Sequence, residues 1–126
     1  FGMMDINWHG IDPMEIKDVK AHEKKTFDHT DLYPDVETSC MSTAFAHIFQ
    51  GGYSAGYYSY KWAEVLDADA FELFQENGIF DRNTAKKFKD NVLARGGTED
   101  PLVLYTRFRG SEPKIDALLK RAGLVA

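Results

Sequence analysis

The sequence predicts an all-α fold. Apolar residues recur at three- and four-residue spacing along much of the chain, and Asp-Pro pairs and glycine pairs mark where one such segment ends and the next begins. With 44% hydrophobic residues in 126, the chain carries enough apolar side chain for a sizeable core. No repeat, linker or low-complexity tract divides it, so we expect residues 1–126 to form one unit.

The first predicted helix begins at Asp12. Asp12 can cap it, Pro13 suits the first helical position, and Glu15 stands three residues after the cap. We expect this helix to continue to about Thr26. Charged residues interrupt its apolar stripe, so most of it should be solvated, and residues 28–36 should form a turn-rich connection.

The middle of the chain predicts two longer helices. Small and apolar residues at helical spacing indicate a buried helix over residues 37–49, ended by Gly51-Gly52, a pair that permits backbone conformations closed to other residues. A second helix should run from about Ser54 to Glu76, because aromatic and aliphatic residues keep helical spacing there until Gly78. At about 23 residues it would be roughly 35 Å long.

Three shorter helices complete the predicted fold. Each has a local start signal, a local stop signal or both. They cover residues 82–94 before Gly96-Gly97, Asp100-Pro101 through Phe108, and a final segment opened by Ser111-Glu112-Pro113 and ended by Gly123.

The charge balance and the single cysteine exclude several function classes. The chain has 15 basic and 20 acidic residues, which gives a net charge of −5. Because the basic residues are scattered along the chain, we expect no nucleic-acid partner. Cys40 alone excludes an internal disulfide and suits a reducing compartment, and we expect it to be a small buried residue on a helix. No stretch approaches the roughly 20 apolar residues of a spanning helix. We therefore expect a soluble, cytoplasmic segment with no membrane partner.

No metal or phosphate motif is complete. The zinc motif His-Glu-x-x-His places two imidazoles at i and i+4, and its nearest match is His22-Glu23-Lys24-Lys25-Thr26, which has threonine in place of the second histidine. The chain also lacks a G-x-S-x-G elbow and a glycine-rich phosphate loop. We assign no metal to these residues.

The most informative segment is residues 45–60, with the sequence FAHIFQGGYSAGYYSY and four tyrosines among its last eight residues. Tyr53, Tyr57 and Tyr60 are spaced i, i+4 and i+7, so they share one face if a helix already covers Tyr53. A phenol is a neutral hydrogen-bond donor near pH 7, so convergent phenols suit the stabilisation of a developing oxyanion.

Other residues of this segment suit substrate binding. His47 could contribute a further donor, and the backbone N–H groups of Gly51 and Gly52 could bind an extended peptide. Spacing alone also allows a structural role, in which the tyrosines pack against neighbouring helices, His47 is a hydrogen-bonded core residue and the glycines only permit a turn. A third alternative is an anion site at a helix N-terminus.

The segment combines Phe45-x-His47 with Gly51-Gly52-Tyr53-x-Ala55-x-Tyr57-Tyr58-x-Tyr60 and then Trp62. This pattern resembles the tyrosine-glycine loop of the M3 family of zinc oligopeptidases, which includes thimet oligopeptidase and the bacterial peptidyl-dipeptidases. The resemblance covers most of the chain and is weakest over residues 1–35. It continues in residues 65–71, 96–100, 108–110 and 113–119.

The resemblance implies that the chain is the C-terminal part of a large, mostly helical metallopeptidase catalytic domain. The abrupt apolar start at residues 1–8 is typical of a cut through a larger parent protein. The parent is expected to hold zinc on a motif outside this chain and to hydrolyse short peptides, releasing C-terminal dipeptides. The resemblance assigns oxyanion stabilisation to Tyr60 and Tyr53, and substrate binding to His47, Tyr57, Gly51 and Gly52. The isolated chain should be inactive.

The alternative is a non-enzymatic helical module whose glycine-tyrosine loop binds a peptide or a partner protein. The two hypotheses differ in the apolar surface that they leave exposed. A part of a larger domain should leave Phe45, Ile48, Trp62 and Phe71 partly uncovered, to be covered by the remainder of the catalytic domain or by self-association. A self-contained module should bury these side chains.

Overall fold

The structure is a computed structural model that describes residues 1–125. Within that range the chain forms helices and turns and no strand, so the all-α prediction is confirmed. The chain folds into two compact units, Phe1–Tyr60 and a second that begins at Lys61. The single domain expected from the sequence stays a prediction. No helix in the described range is both long and apolar enough to cross a bilayer.

Seven α-helices make up the described residues, together with two short 3₁₀ turns and one π-helical segment. The 3₁₀ turns are Pro13–Glu15 and Ala46–Ile48, and the π-helical segment is Lys89–Leu93. The α-helices are α1 (Gly2–His9), α2 (Val19–Phe27), α3 (Met41–Ala44), α4 (Ser59–Asn77), α5 (Arg82–Phe88), α6 (Pro101–Arg109) and α7 (Asp116–Arg121).

The helix predicted from Asp12 to Thr26 is wrong in its first half. Asp12 does cap a helical turn, by accepting a hydrogen bond from the Met14 N–H at 2.9 Å, but only the 3₁₀ turn follows. The backbone at Ile16 is extended, with φ −83° and ψ 108°. A second cap, Asp18, accepts from the Ala21 N–H at 2.8 Å and begins α2. Two adjacent capping sequences therefore divide the segment.

The buried helix predicted over residues 37–49 is also wrong. Only α3 and the second 3₁₀ turn are helical there, and of the whole segment only Ser42 and Ile48 are buried. The start of α3 is set by α2, because the Glu23 carboxylate accepts from the Met41 and Ser42 N–H groups at 2.8 and 2.5 Å. Cys40 is half-buried and precedes α3, rather than lying buried on a helix.

Glu23 is consequently a pH-sensitive stabilising residue. Burial alone would raise the pKa of its carboxyl, but hydrogen bonds from Ser42, Met41 and Cys40 hold that pKa below its usual value. A lowered folded-state pKa contributes stability above the unfolded-state pKa, and this contribution is lost as pH falls through the folded-state value.

We expect Glu23→Ala to lower the free energy of unfolding by about 1–2 kcal/mol at pH 7, since it removes the cap of α3. The difference from wild type should shrink below about pH 4. Urea unfolding at pH 7 and pH 3.5 measures both effects. Glu37→Ala is the matched control, because Glu37 is exposed and contributes only its backbone carbonyl, to Lys20. Equal losses in both variants would contradict the capping role.

The second unit has a core of aromatic and aliphatic side chains on four helices. Its central residue is Phe108 on α6, whose ring centroid lies 5.1 Å from that of Phe88 and 6.3 Å from that of Phe74. The other buried apolar residues of this unit come from α4, α6 and α7: Val65, Ala68, Leu104, Tyr105 and Ala117.

A buried carboxylate completes this core. Asp69 accepts a hydrogen bond from the Tyr105 hydroxyl at 2.6 Å and faces Arg109 Nε at 3.4 Å. Burial, followed by the hydrogen bond and the charge of Asp69, raises the pKa of Tyr105 well above its usual value, so Tyr105 stays a donor. Arg109 also pairs with Glu72 and Glu76. Each oxygen of the buried Asp69 carboxylate therefore has a hydrogen-bond donor or a positive charge beside it, as burial in a low-dielectric environment requires.

Candidate functional site

The candidate site is built on residues 50–58, here called the tyrosine loop, which connect the second 3₁₀ turn to α4. Gly51 and Gly52 have φ of 77° and 81°, in the left-handed region that favours glycine. At Gly52 an added Cβ would meet no atom within 4 Å. Glycine is therefore needed at position 52 for its backbone conformation and not for lack of space.

Tyr53 and Tyr57 lie in turns and not on a helix, because α4 begins only at Ser59. The helix expected to start near Ser54 therefore starts later than predicted, and the condition for a shared helical face, a helix that already covers Tyr53, is not met. A chain reversal brings them together instead. Ala55 takes φ 56°, and hydrogen bonds from the Gly56 N–H to the Tyr53 carbonyl and from the Ser59 N–H to the Gly56 carbonyl close successive turns.

The loop is held by a carboxylate that the sequence analysis did not identify. Asp5, on α1, is fully buried, and its Oδ1 and Oδ2 accept hydrogen bonds from the Ala55 and Tyr57 N–H groups, each at 2.8 Å. The Ser54 hydroxyl also donates to the Ile48 carbonyl at 2.9 Å. The sequence gives one signal for this contact, because Asp5 stands between the apolar residues Met4 and Ile6. A carboxylate that is buried with such neighbours needs hydrogen-bond donors from elsewhere in the chain.

The structure brings His47, Tyr53, Tyr57 and Tyr60 together into one ring cluster. Tyr53 stacks on His47 and on Tyr60, with centroid distances of 4.6 and 5.3 Å. Tyr57 lies 5.1 Å from Tyr60 and 5.5 Å from His47, again between ring centroids. His47 Nε2 and the Tyr60 hydroxyl oxygen are 3.1 Å apart, a hydrogen bond whose donor depends on the imidazole tautomer.

Two phenylalanines form an apolar support for this ring cluster. The Phe45 ring lies edge-on to Tyr57, at 5.3 Å between centroids, and stacks on Phe1 at 4.7 Å. Phe1 also contacts Tyr57 edge-on at 6.2 Å. Such contacts restrict the rotation of the Tyr57 ring.

The polar atoms of the ring cluster are accessible. Tyr60 is 44% exposed, His47 is exposed, and Tyr53 and Tyr57 are half-buried. His47 is therefore not a core histidine. Hydrogen bonding to the Tyr53 side chain, then desolvation and the charges of Tyr53 and Tyr57, raise the pKa of Tyr60 above its usual value. Tyr60 thus stays protonated through neutral pH and can donate to an anionic oxygen.

The exposed backbone of Gly51 and Gly52 adds two further donors. The structure gives neither N–H group a backbone acceptor within residues 1–125. Unpaired N–H groups beside hydroxyls and an imidazole suit a ligand rich in carbonyl oxygens. The arrangement offers hydrogen-bond donors, an imidazole and aromatic faces.

The side chains that could ligate a metal are scattered. In the described part of the chain, no group of three His, Cys, Asp or Glu side chains lies close enough to hold a metal ion. The incomplete motif at His22-Glu23 serves packing and capping, because His22 contacts the Trp8 ring at 4.5 Å and Glu23 caps α3. The donor set of the described residues does not fit a zinc site.

Comparison with known proteins gives one consistent result. The model of peptidase family M3 matches residues 1–124. Oligopeptidase A of Escherichia coli (strain K12) is 60% identical over 128 residues, which is 98% of this chain and 18% of that protein. Oligopeptidase A of Salmonella typhimurium (strain LT2) is 59% identical over 125 residues, again 98% of this chain and 18% of that protein. Dipeptidyl carboxypeptidase of the same Salmonella strain is 39% identical over 125 residues, 97% of this chain and 18% of that protein.

Proposed function

The chain belongs to peptidase family M3, and from that premise we propose that it supplies the oxyanion-binding and substrate-binding face of a zinc metallopeptidase that hydrolyses short peptides. The chain spans 18% of the length of each relative named above, so the activity is that of a longer parent protein. The observation that carries the proposal is the convergence of Tyr53, Tyr57, Tyr60 and His47, with accessible donors, at one surface.

Tyr60 and Tyr53 are proposed to stabilise the oxyanion. Addition to a peptide carbonyl places negative charge on the carbonyl oxygen, and preorganised donors lower the barrier by about 3 kcal/mol each. The two rings stack at 5.3 Å between centroids, so their hydroxyls can approach one oxygen together. The raised pKa of Tyr60 keeps its proton in place for donation.

His47, Tyr57, Gly51 and Gly52 are proposed to bind substrate. The glycine N–H groups suit the carbonyls of an extended peptide, and the His47 and Tyr57 rings provide apolar faces beside them. Contacts of this kind bind substrate and transition state alike, so their loss should raise KM more than it lowers kcat.

Zinc is proposed for the parent protein, with every ligand outside this chain, because the described residues offer no cluster for it. A zinc ion acts as a Lewis acid and activates water, and these 126 residues provide neither function. The isolated chain is therefore expected to have no peptidase activity.

The apolar surface of the chain supports its place in a larger catalytic domain. Trp62 and Phe71, which a self-contained module should bury, are 49% and 48% exposed. Phe45 is half-buried, and only Ile48 is fully buried. We propose that the remainder of the catalytic domain covers the exposed side chains, and that the isolated chain can self-associate through them.

The sequence identities to these relatives favour one cleavage specificity for the parent protein. Three relatives named oligopeptidase A are 60%, 59% and 44% identical, and a relative named dipeptidyl carboxypeptidase is 39% identical. We therefore propose cleavage of oligopeptides by the parent, in preference to the release of C-terminal dipeptides that the sequence analysis expected. The cytoplasmic location stays a prediction.

Hydrolysis of a defined peptide by the full-length parent tests this function. We expect activity that a chelator abolishes and added zinc restores, internal fragments by mass spectrometry, and no activity from the 126-residue chain. C-terminal dipeptides as the sole products would overturn the specificity. A folded, zinc-loaded parent protein without peptidase activity would contradict the proposed function and favour the alternative of a non-enzymatic binding module.

A further inference from the structure

We propose that Asp5 is a positioning residue for the site: its buried carboxylate holds the tyrosine loop in the conformation that brings the ring cluster together. The catalytic consequence of this inference rests on the proposed function. The structural part stands on geometry alone, because Asp5 lies on α1, 50 residues from Ala55 and 52 from Tyr57 in the sequence, yet bonds to both.

Each oxygen of the carboxylate accepts one of the two hydrogen bonds. Oδ1 takes the N–H of Ala55 and Oδ2 takes the N–H of Tyr57, so one carboxylate spans the turn centred on Gly56. Asp5 is fully buried, where a carboxylate is stable only when donors satisfy it. Each oxygen therefore binds one amide of the loop backbone, and the loop cannot move away from α1 without breaking these bonds.

The conformation that Asp5 holds is one the loop would not adopt unaided. Ala55 has φ 56°, and it is the residue other than glycine with positive φ in the described range. Side chains with a Cβ disfavour this region, and such residues persist when their surroundings fix them. The fixing contact here is the bond from the N–H of Ala55 itself to Asp5.

A short path leads from Asp5 to the ring cluster. The N–H bonded to Oδ2 belongs to Tyr57, whose ring contacts both Tyr60 and His47. On its other side, the carboxylate is oriented by His9, whose Nδ1 lies 2.8 Å from Oδ1 and 2.8 Å from the backbone carbonyl of Asp5. Loss of the carboxylate would release Tyr57 and Ala55 together.

The activity test compares Asp5→Asn with Asp100→Asn in the full-length parent. Asparagine keeps the shape but replaces one acceptor oxygen with an NH₂ group, which cannot accept from the loop. We expect kcat to fall on the order of 10- to 100-fold, the size of effect that small misplacements of reacting groups produce. Asp100 also accepts from two backbone N–H groups, at the start of α6, so Asp100→Asn should leave kcat within about twofold.

The structural test follows amide hydrogen exchange in the loop of the 126-residue chain. In wild type, the Ala55 and Tyr57 amides should exchange on the order of 100-fold more slowly than those of Gly51 and Gly52. Because asparagine keeps one acceptor oxygen, Asp5→Asn should bring at least one of the Ala55 and Tyr57 amides to the rate of the glycines, and Asp100→Asn should leave both slow. A role for Asp5 in overall stability alone would lower Tm and change all four amides alike.

The outcomes separate the two hypotheses. Full kcat in Asp5→Asn, alongside a large loss in Tyr60→Phe, would overturn the positioning role and leave the proposed function standing. Full kcat in Tyr60→Phe would overturn the proposed function, and the exchange rates would still decide whether Asp5 holds the loop. If Asp5→Asn fails to fold, wild-type exchange decides: amides of Ala55 and Tyr57 as fast as those of the two glycines would overturn the inference.

Discussion

Replacing Tyr60 by phenylalanine is expected to lower the kcat of the full-length parent on the order of 100-fold, with KM little changed. The substitution removes one hydroxyl and keeps the ring contacts to Tyr53 and Tyr57. A donor that acts only on the developing oxyanion affects the transition state and not the bound substrate. Steady-state hydrolysis of one peptide by both proteins, with zinc content verified, measures the effect.

Tyr58→Phe is the matched control for this experiment. Tyr58 is a neighbour in the same loop and is exposed, yet its ring is outside the cluster formed by His47, Tyr53, Tyr57 and Tyr60. Its kcat should stay within about twofold of wild type. Equal kcat losses in the two variants would indicate a disturbed loop and would contradict an oxyanion role for the Tyr60 hydroxyl.

Replacing Phe108 by alanine should have the largest effect on stability. Phe108 is 2% exposed and contacts Phe88, Phe74 and Tyr105, so alanine leaves a cavity at the centre of the second unit. We expect the free energy of unfolding to fall by about 3–5 kcal/mol, a large fraction of the total for a domain of this size.

Urea unfolding of the chain, followed by circular dichroism, tests this expectation. Phe80→Ala provides the comparison, because Phe80 is 94% exposed and the same atoms are removed from a surface position. That variant should stay within about 0.5 kcal/mol of wild type. A loss for Phe108→Ala no greater than for Phe80→Ala would show that Phe108 does not form the core.

Helices α5 and α6 of the second unit could be predicted because their start signals are local, whereas α7 begins at Asp116 without a side-chain cap and not at the predicted Ser111-Glu112-Pro113. Asp81 accepts from the Thr84 N–H and begins α5, and Asp100 with Pro101 begins α6, as capping patterns in the sequence indicate. The segment predicted to be helical over 82–94 is helical, although its last part is a π-helix in which the Ala94 N–H bonds to the Lys89 carbonyl. No local sequence signal marks this change of helix type.

The first unit was predicted less well because its structure depends on distant residues. Helix α3 starts where Glu23 caps it, 18 and 19 residues away from the amides it receives. Apolar spacing carries no information on such a contact, and it predicted a much longer helix than the one that forms. Helix α1 was not predicted either, and its buried Asp5 accepts a hydrogen bond from a loop 50 residues further on.

For the candidate site, the sequence identified the residues that converge but not the contacts that bring them together. The residues that converge, His47, Tyr53, Tyr57 and Tyr60, are those selected from the sequence, and the structure brings them together. The condition under which they would share one helical face, a helix that already covers Tyr53, is not met, because the loop is folded by Asp5 and by left-handed backbone at Gly51, Gly52 and Ala55. Tertiary hydrogen bonds, and not helical periodicity, bring these four rings together.

The central claim, that Tyr60 and Tyr53 bind an oxyanion, is tested most directly with a peptide that carries an anionic, tetrahedral phosphinate in place of the scissile carbonyl. Its inhibition constant should be measured in the full-length parent for wild type, Tyr60→Phe and Tyr53→Phe. We predict that each substitution raises this constant by about the factor by which it lowers kcat/KM, while KM for the ordinary peptide barely changes. An inhibition constant that stays at the wild-type value in a variant with reduced kcat/KM would contradict the claim.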